Sequence, residues 1–243
     1  MTRILAIETS DTIASLAAAE GDRLLLEREL PSEQRSARSI SPGMIELLRH
    51  VGWQPKDVQL VAVSVGPGAF TGLRVGIPAA KTFAYAVGAE LIAVNTLEAL
   101  AAGLPDGWSH AAAAVDAQRG DVAVQCFRPD VAGRPVAVGP MRVSPAKEWI
   151  AELPEDTIVV GPAATKRIDA ALLPPGVRLA SPDFHRPRAA AVAAVGWRHY
   201  QTGRRDDLWT LLPVYSRRAA AEEKWDAQHG RPASAAAPPS PTC

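Results

Sequence analysis

Cysteine is scarce: Cys126 and Cys243 are the two that 243 residues hold. Two cannot build a disulfide framework or a cysteine-ligated zinc cluster. Net charge is lacking as well, because 26 Lys and Arg balance 26 Asp and Glu. Without a global basic field, autonomous nucleic-acid binding is not the expected activity. No apolar run approaches the length of a bilayer span, and the short run Ile4–Ile7 ahead of Glu8 does not have the form of a signal peptide. The chain therefore reads as cytoplasmic, with no membrane partner. The histidines His50, His110, His185, His199 and His229 include no pair at i, i+4 spacing, so they read as surface residues and no metal site is expected. No serine sits in a G-x-S-x-G elbow, Cys126 falls within a strand pattern, and no Lys-Ser/Thr pair follows a glycine turn as in a Walker loop.

What is present centres on Val61–Gly76. Leu60–Val65 has strand character, Gly66-Pro67-Gly68 stops it, and Leu73–Val87 has the small-residue, apolar pattern of a helix that Pro78 interrupts. A strand, a glycine turn and a helix N-terminus can offer backbone N–H groups to an anion. The spacing G-P-G-x-x-x-G is nonetheless not a dinucleotide fingerprint, and a plain tight turn fits it equally well. Near the N-terminus, Thr9, Ser10, Asp11 and Thr12 place adjacent oxygen side chains in one turn, either as ordinary turn formers or beside a phosphate. Thr9, Ser10, Asp11, Gly66 and Gly68 are thus the candidate nucleotide or phosphate loop. Glu8 and Asp116, each after an apolar strand, are candidate paired acids across a cleft, and turn capping explains them as well.

Taken in order, the chain predicts three short strands (Ile4–Ile7, Ala14–Ala19, Arg23–Leu30) and a helix over Ser36–Val51 broken or kinked at Pro42-Gly43. After the central strand and helix come a strand at Leu91–Val94 and a helix capped by Thr96. The order then restarts with strands at Ala112–Val115, Asp121–Phe127 and Arg134–Val143. A helix capped by Ser144 follows, then a strand at Thr157–Val160, a short helix over Thr165–Leu172, an alanine-rich helix over Arg188–Gln201, and an extended Leu211–Tyr215. The repeated order implies an α/β chain of two related lobes with a cleft between strand ends. The expected division is 1–104 for the N-terminal lobe, 105–225 for a shorter C-terminal lobe, and 226–243 for a disordered Ala/Pro-rich tail.

Five segments occur together in one order: Ile4-Leu5-Ala6-Ile7-Glu8-Thr9-Ser10, Gly66-Pro67-Gly68-Ala69-Phe70-Thr71-Gly72-Leu73-Arg74-Val75-Gly76, Val94-Asn95-Thr96-Leu97-Glu98-Ala99-Leu100, Val115-Asp116-Ala117-Gln118-Arg119-Gly120-Asp121-Val122 and Pro213-Val214-Tyr215-Ser216-Arg217. Together they resemble the TsaB (YeaZ) family of bacterial tRNA threonylcarbamoyladenosine (t6A) biosynthesis proteins, over residues 2–225. The resemblance implies a two-lobed actin-like ATPase (ASKHA) fold, each lobe a mixed sheet with flanking helices. It further implies a non-catalytic scaffold that stabilises the related TsaD subunit, alongside the ATPase TsaE, in threonylcarbamoyl transfer to the adenosine next to the anticodon. On that reading tRNA is met only through the complex, the chain forms a homodimer when alone, and ATP or ADP enters at the partner interface, none being intrinsic. The His-x-x-x-His metal pair of TsaD corresponds here to Thr96 and Leu100, which cannot serve. The implied partner interface is a pair of helices presenting Ile40, Met44, Leu47, Leu73, Gly76, Ala80 and Phe83, with the small-residue face Gly72, Gly76 and Ala80 allowing close approach. Two departures stand out: Glu8 where many relatives have Asp, and Pro78 in the second helix. The rival readings are an actin-like enzyme that binds and hydrolyses ATP itself, and a metalloprotease.

Overall fold

The structure, a computed structural model, describes residues 1–31, 37–217 and 225. The tail expected over 226–243 and the expected helix start at Ser36 lie outside them. Three strands open the chain: β1 (Arg3–Glu8), β2 (Ser15–Glu20) and β3 (Arg23–Glu29). There follow α1 (Ala37–His50), β4 (Leu60–Gly66), α2 (Phe70–Val87), β5 (Glu90–Asn95) and α3 (Thr96–Ala102). The sheet order is β3-β2-β1-β4-β5, antiparallel through the first three strands and parallel from β1 to β4 to β5. The second half contains β6 (His110–Asp116), β7 (Asp121–Pro129), β8 (Pro135–Ala137), β9 (Arg142–Pro145), α4 (Ala146–Ala151), β10 (Thr157–Val160), α5 (Pro162–Lys166), β11 (Arg178–Leu179) and α6 (Ala189–Gln201). Its sheet runs β8-β7-β6-β10-β11 with the same alternation of senses, and β9 also pairs with β7. Two mixed sheets of one order, each flanked by helices, make this the two-lobed actin-like fold.

Period-2 alternation assigns each strand residue to one of two cores. Leu5, Ile7, Leu16, Val61 and Val63 face α1 and α2, while Ile4, Ala6, Ala17, Leu60 and Ala62 face α6. In the second sheet Ala111, Ala113, Val115 and Phe127 pack with α3, and Ala112, Ala114, Val122 and Val124 pack with α4 and α5. The helices have therefore been exchanged: α3, from the first half, buries Leu97, Leu100 and Ala101 against the second sheet, and α6, from the second half, buries Val192, Ala193 and Val195 against the first. The lobes consequently interlock, and the contiguous ranges 1–104 and 105–225 do not describe how the helices are shared. Glu98 of α3 bonds both Arg198 and His199 of α6 at this junction.

Local expectations are corrected at five points. α1 runs through Pro42 and α2 through Pro78 without interruption, because both prolines lie on exposed faces where a missing N–H leaves its carbonyl to water. Helix α3 is capped by Asn95, whose Oδ1 accepts the Leu97 N–H at 2.8 Å, not by Thr96. Helix α4 has Pro145 at its cap position, so Ser144 makes no cap bond there. The strand expected over Arg134–Val143 is two, β8 and β9, and the helix expected over Thr165–Leu172 is α5 followed by a single 3₁₀ turn at Ala170–Leu172. His185, expected at the surface, is buried.

Helix α2 begins at Phe70, three residues before the change of period at Leu73, because it lies directly on the turn after β1. A Cβ on Gly72 would stand 1.8 Å from the Thr9 carbonyl oxygen, and one on Gly76 would stand 2.1 Å from Thr9 Oγ1. Both glycines serve this internal approach. Gly72→Ala is expected to cost about 2 kcal/mol in a denaturant titration, although alanine is otherwise the better helix former by about 1 kcal/mol. Gly103→Ala, where a Cβ meets nothing nearer than 3.5 Å, should change stability by less than about 0.5 kcal/mol.

Candidate functional site: the cleft between the lobes and the outer helix pair

A cavity of about 420 Å³ opens between the lobes. From the first lobe it is lined by the β1–β2 turn (Ser10, Asp11, Thr12) and by Gly68–Phe70. The second lobe contributes the β6–β7 hairpin (Asp116, Gln118, Arg119) and Pro162 and Lys166 of α5, and the segment after α6 contributes Tyr215–Arg217. Of the candidate loop, Ser10, Asp11 and Gly68 reach the cleft, while Thr9 and Gly66 face the interior. The glycine loop is packed closely against the turn after β1 and the segment near Val214. A Cβ on Gly68 would stand 2.3 Å from the Ser10 carbonyl oxygen, one on Gly66 would stand 2.3 Å from the Val214 oxygen, and the Ala69 N–H already donates to Ser10 at 2.6 Å. Backbone, not ligand, fills the space that these glycines leave.

The two candidate acids meet different fates. Asp116 reaches the cleft but is held in a fork by Arg167, whose Nε and Nη2 donate to Oδ1 and Oδ2 at 3.1 and 3.0 Å. Burial works against its charge, yet the Arg167 guanidinium and the Gln118 N–H outweigh it and hold the carboxyl below its ordinary range. Gln118 and Arg119, both at positive φ (66° and 55°), turn the hairpin tip toward the cleft. Glu8, expected to extend toward the cleft, is instead fully buried and folds back to accept the Ser10 N–H, and its Oε2 has no partner. The extra methylene relative to Asp is used to turn inward under the loop. The cleft lining contains no histidine and no cysteine among the described residues.

The expected interface residues are interior. Ile40, Met44, Leu47, Leu73 and Ala80 belong to the core beneath α1 and α2, Gly76 is buried against Thr9, and Phe83 packs partly into the same core. Each of these helices turns an apolar stripe to the first sheet, which buries Ile40, Met44, Leu47, Leu73, Gly76 and Ala80, while Phe83 stays partly exposed. The outer faces carry other residues: Ser41, Pro42, Ile45, Glu46 and Arg49 on α1, and Thr71, Arg74, Pro78, Thr82, Tyr85 and Ala86 on α2. Sequence reasoning missed Arg167 and Lys166, since nothing in their local pattern marks them, and it gave Arg217, within the Pro213–Arg217 segment, no place at the cleft.

Burial lifts the Glu8 carboxyl from 4.5 to about 7, the repulsion from Asp11 adds to it, and the hydrogen-bonding groups of Ser10 and Ser64 pull the other way. A raised folded-state pKa means that the native protein keeps a proton that the unfolded chain releases. The resulting stability is fully present below pH 4.5 and is lost as pH rises through about 7. Glu8→Gln should cancel this dependence, so its stability relative to the parent should rise by about 3 kcal/mol between those limits at 1.4 kcal/mol per unit. Denaturant midpoints from pH 4.5 to 8 on both proteins read the difference, and a constant difference would contradict the burial argument.

The family model described as TsaD, tRNA N6-adenosine threonylcarbamoyltransferase, matches residues 31–157. The tRNA threonylcarbamoyladenosine biosynthesis protein TsaB of Bacillus subtilis (strain 168) is 27% identical over 227 residues, 91% of this chain and 97% of that protein. TsaB of Escherichia coli (strain K12) is 34% identical over 122 residues, 49% of this chain and 52% of its own length. Among solved structures, YeaZ from Pseudomonas aeruginosa superposes with a TM-score of 0.74 at 26% identity, covering 88% of this chain and all of that one. The chain belongs to the wider family of that threonylcarbamoyltransferase model and, within it, to the TsaB (YeaZ) family of tRNA threonylcarbamoyladenosine biosynthesis proteins.

Proposed function

We propose that this chain takes part in t6A synthesis as a non-catalytic subunit, binding and stabilising TsaD through the outer face of α1 and α2. The observation that carries the reading is that face itself. It exposes Ile45, Pro78 and Tyr85 on two adjacent helices, and α2 carries no carboxylate along its whole length. An exposed helix surface with aromatic and aliphatic anchors suits docking of another helix pair. The cleft agrees with a non-catalytic role: of its two acids, Asp11 and Asp116, the second is held by Arg167, and no histidine or cysteine lines it among the described residues. TsaE and the tRNA would be engaged through the complex, and the same face would support a homodimer when TsaD is absent.

The test is capture of the cognate TsaD by the purified chain, together with reconstituted t6A synthesis. Ile45→Asp and Tyr85→Asp change exposed residues, so both variants should fold with parental circular dichroism. Each should weaken TsaD capture by about tenfold or more, as expected for a charge set into a dry contact. t6A formation should fall in parallel. Capture and t6A formation at parental levels in both variants would remove this face from the interface.

A further inference from the structure

The segment after α6, residues 206–217, is irregular yet anchored along its whole course on the first lobe. The Asp206 N–H donates to Leu91 O at 3.0 Å, and Asp206 Oδ2 accepts the Ala93 N–H at 2.8 Å, so one residue covers the open edge of β5. Lys81 Nζ of α2 donates to Leu211 O at 3.2 Å, and the Val214 N–H donates to Val65 O at 2.7 Å beside the end of β4. The Tyr215 ring lies 4.9 Å from that of Phe70, and its hydroxyl accepts from Arg74 Nε at 3.3 Å. Two residues later the segment leaves the first lobe. Arg217 donates through Nη2 to Asp121 Oδ2, in the second lobe, across the mouth of the cleft.

Asp121 closes the hairpin that carries the cleft-lining Asp116, Gln118 and Arg119: its N–H donates to Gln118 O, and its own carbonyl accepts the Ala117 N–H, both at 3.0 Å. The tip of that hairpin holds two successive non-glycine residues at positive φ, a conformation that persists only where its surroundings hold it. Apart from the Arg217–Asp121 pair, the lobes are joined by the exchange of α3 and α6. An interlocked base and a bridged mouth are the two elements of a hinge and a latch.

We propose that residues 206–217 form a strap whose Arg217–Asp121 pair latches the mouth of the cleft, and that release of this pair frees the Asp116–Asp121 hairpin from the first lobe. Both side chains remain partly solvated, at 29% and 22% exposure, so the pair is strong enough to bias the closed position and weak enough to open reversibly. Asp121 is the better partner on the hairpin side because Asp116 is already engaged by Arg167. This inference stands whether or not the chain binds TsaD.

Amide hydrogen exchange on the full chain tests it, with Arg217→Gln, Asp121→Asn and the double exchange Arg217→Asp with Asp121→Arg. Each single variant should speed exchange at residues 117–123 by about fivefold, the bias expected of one half-exposed ion pair. Exchange in β1 and β4 should stay at the parental rate, and the double exchange should restore protection to the hairpin. Faster trypsin cleavage after Arg119 in the single variants should accompany the change. Unchanged exchange at 117–123 in both single variants would overturn the latch. So would loss of protection that extends equally into β1 and β4, because the pair would then support the whole fold and not the cleft mouth.

Discussion

The contact on which this structure depends is one of glycine backbone against the turn after β1: the Gly68–Gly76 stretch rests on Thr9 and Ser10. At Gly68, Gly72 and Gly76 the space that a side chain would need is taken by atoms of those two residues. With the loop seated there, α2 lies flush on the sheet and presents Leu73, Ile77, Ala80 and Ala84 to the core. The same seating roofs over Glu8 and turns Asp11 and Thr12 outward toward the cleft. A single methyl group at any of these glycines would lift the helix, and the burial of Glu8, the direction of the turn and the width of the cleft would change together.

A second constraint acts at the scale of the lobes. Each half lends its last helix to the other sheet, so neither sheet has both faces covered without the other half. Gly196 lets α6 approach β4 closely, since a Cβ there would lie 2.5 Å from the Ala62 Cβ. The ion cluster of Glu98 with Arg198 and His199 ties the exchanged helices to one another at the base. Packed helices thus join the lobes at this junction, whereas at the cleft mouth they meet through the side-chain pair Arg217–Asp121.

The strands and most helices were legible in the sequence because short apolar runs or helical periods are set off by polar, glycine or proline turns: β1, β4 and β10 lie within a residue or so of their expected bounds. The two-lobed order was legible for the same reason. The partner of each apolar stripe was not. Ile40, Met44 and Leu47 recur at helical spacing whether they face a sheet or another protein, and only the tertiary structure shows that the sheet has taken them. Gly72 and Gly76 carried the same ambiguity, since a small residue announces a close approach without naming what approaches. Ser10, Asp11 and Gly68, read from the sequence as part of a candidate phosphate loop, line the cleft, but Arg167 lies 51 residues from Asp116, and a long-range ion pair leaves no local signature. The inward turn of Glu8 was hidden too, because the identity of an acid does not say which way its carboxyl points.

The two proline-bearing helices show how division of labour follows from these limits. A proline on the buried face of α2 would set its ring against the packed sheet and leave a carbonyl without water, whereas Pro78 on the outer face leaves the Arg74 carbonyl open to solvent or to a partner's donor. The outer stripe Arg74, Pro78, Thr82 and Tyr85 is therefore free of the packing that governs Leu73, Ile77 and Ala80 one step around the helix. Residues on the inner stripe answer to the sheet, and substitutions there act through stability. Residues on the outer stripe do not answer to the sheet, although Arg74 and Tyr85 meet Tyr215 and Trp209 of the segment after α6. That separation allows an effect on partner binding to be distinguished from an effect on folding within one helix.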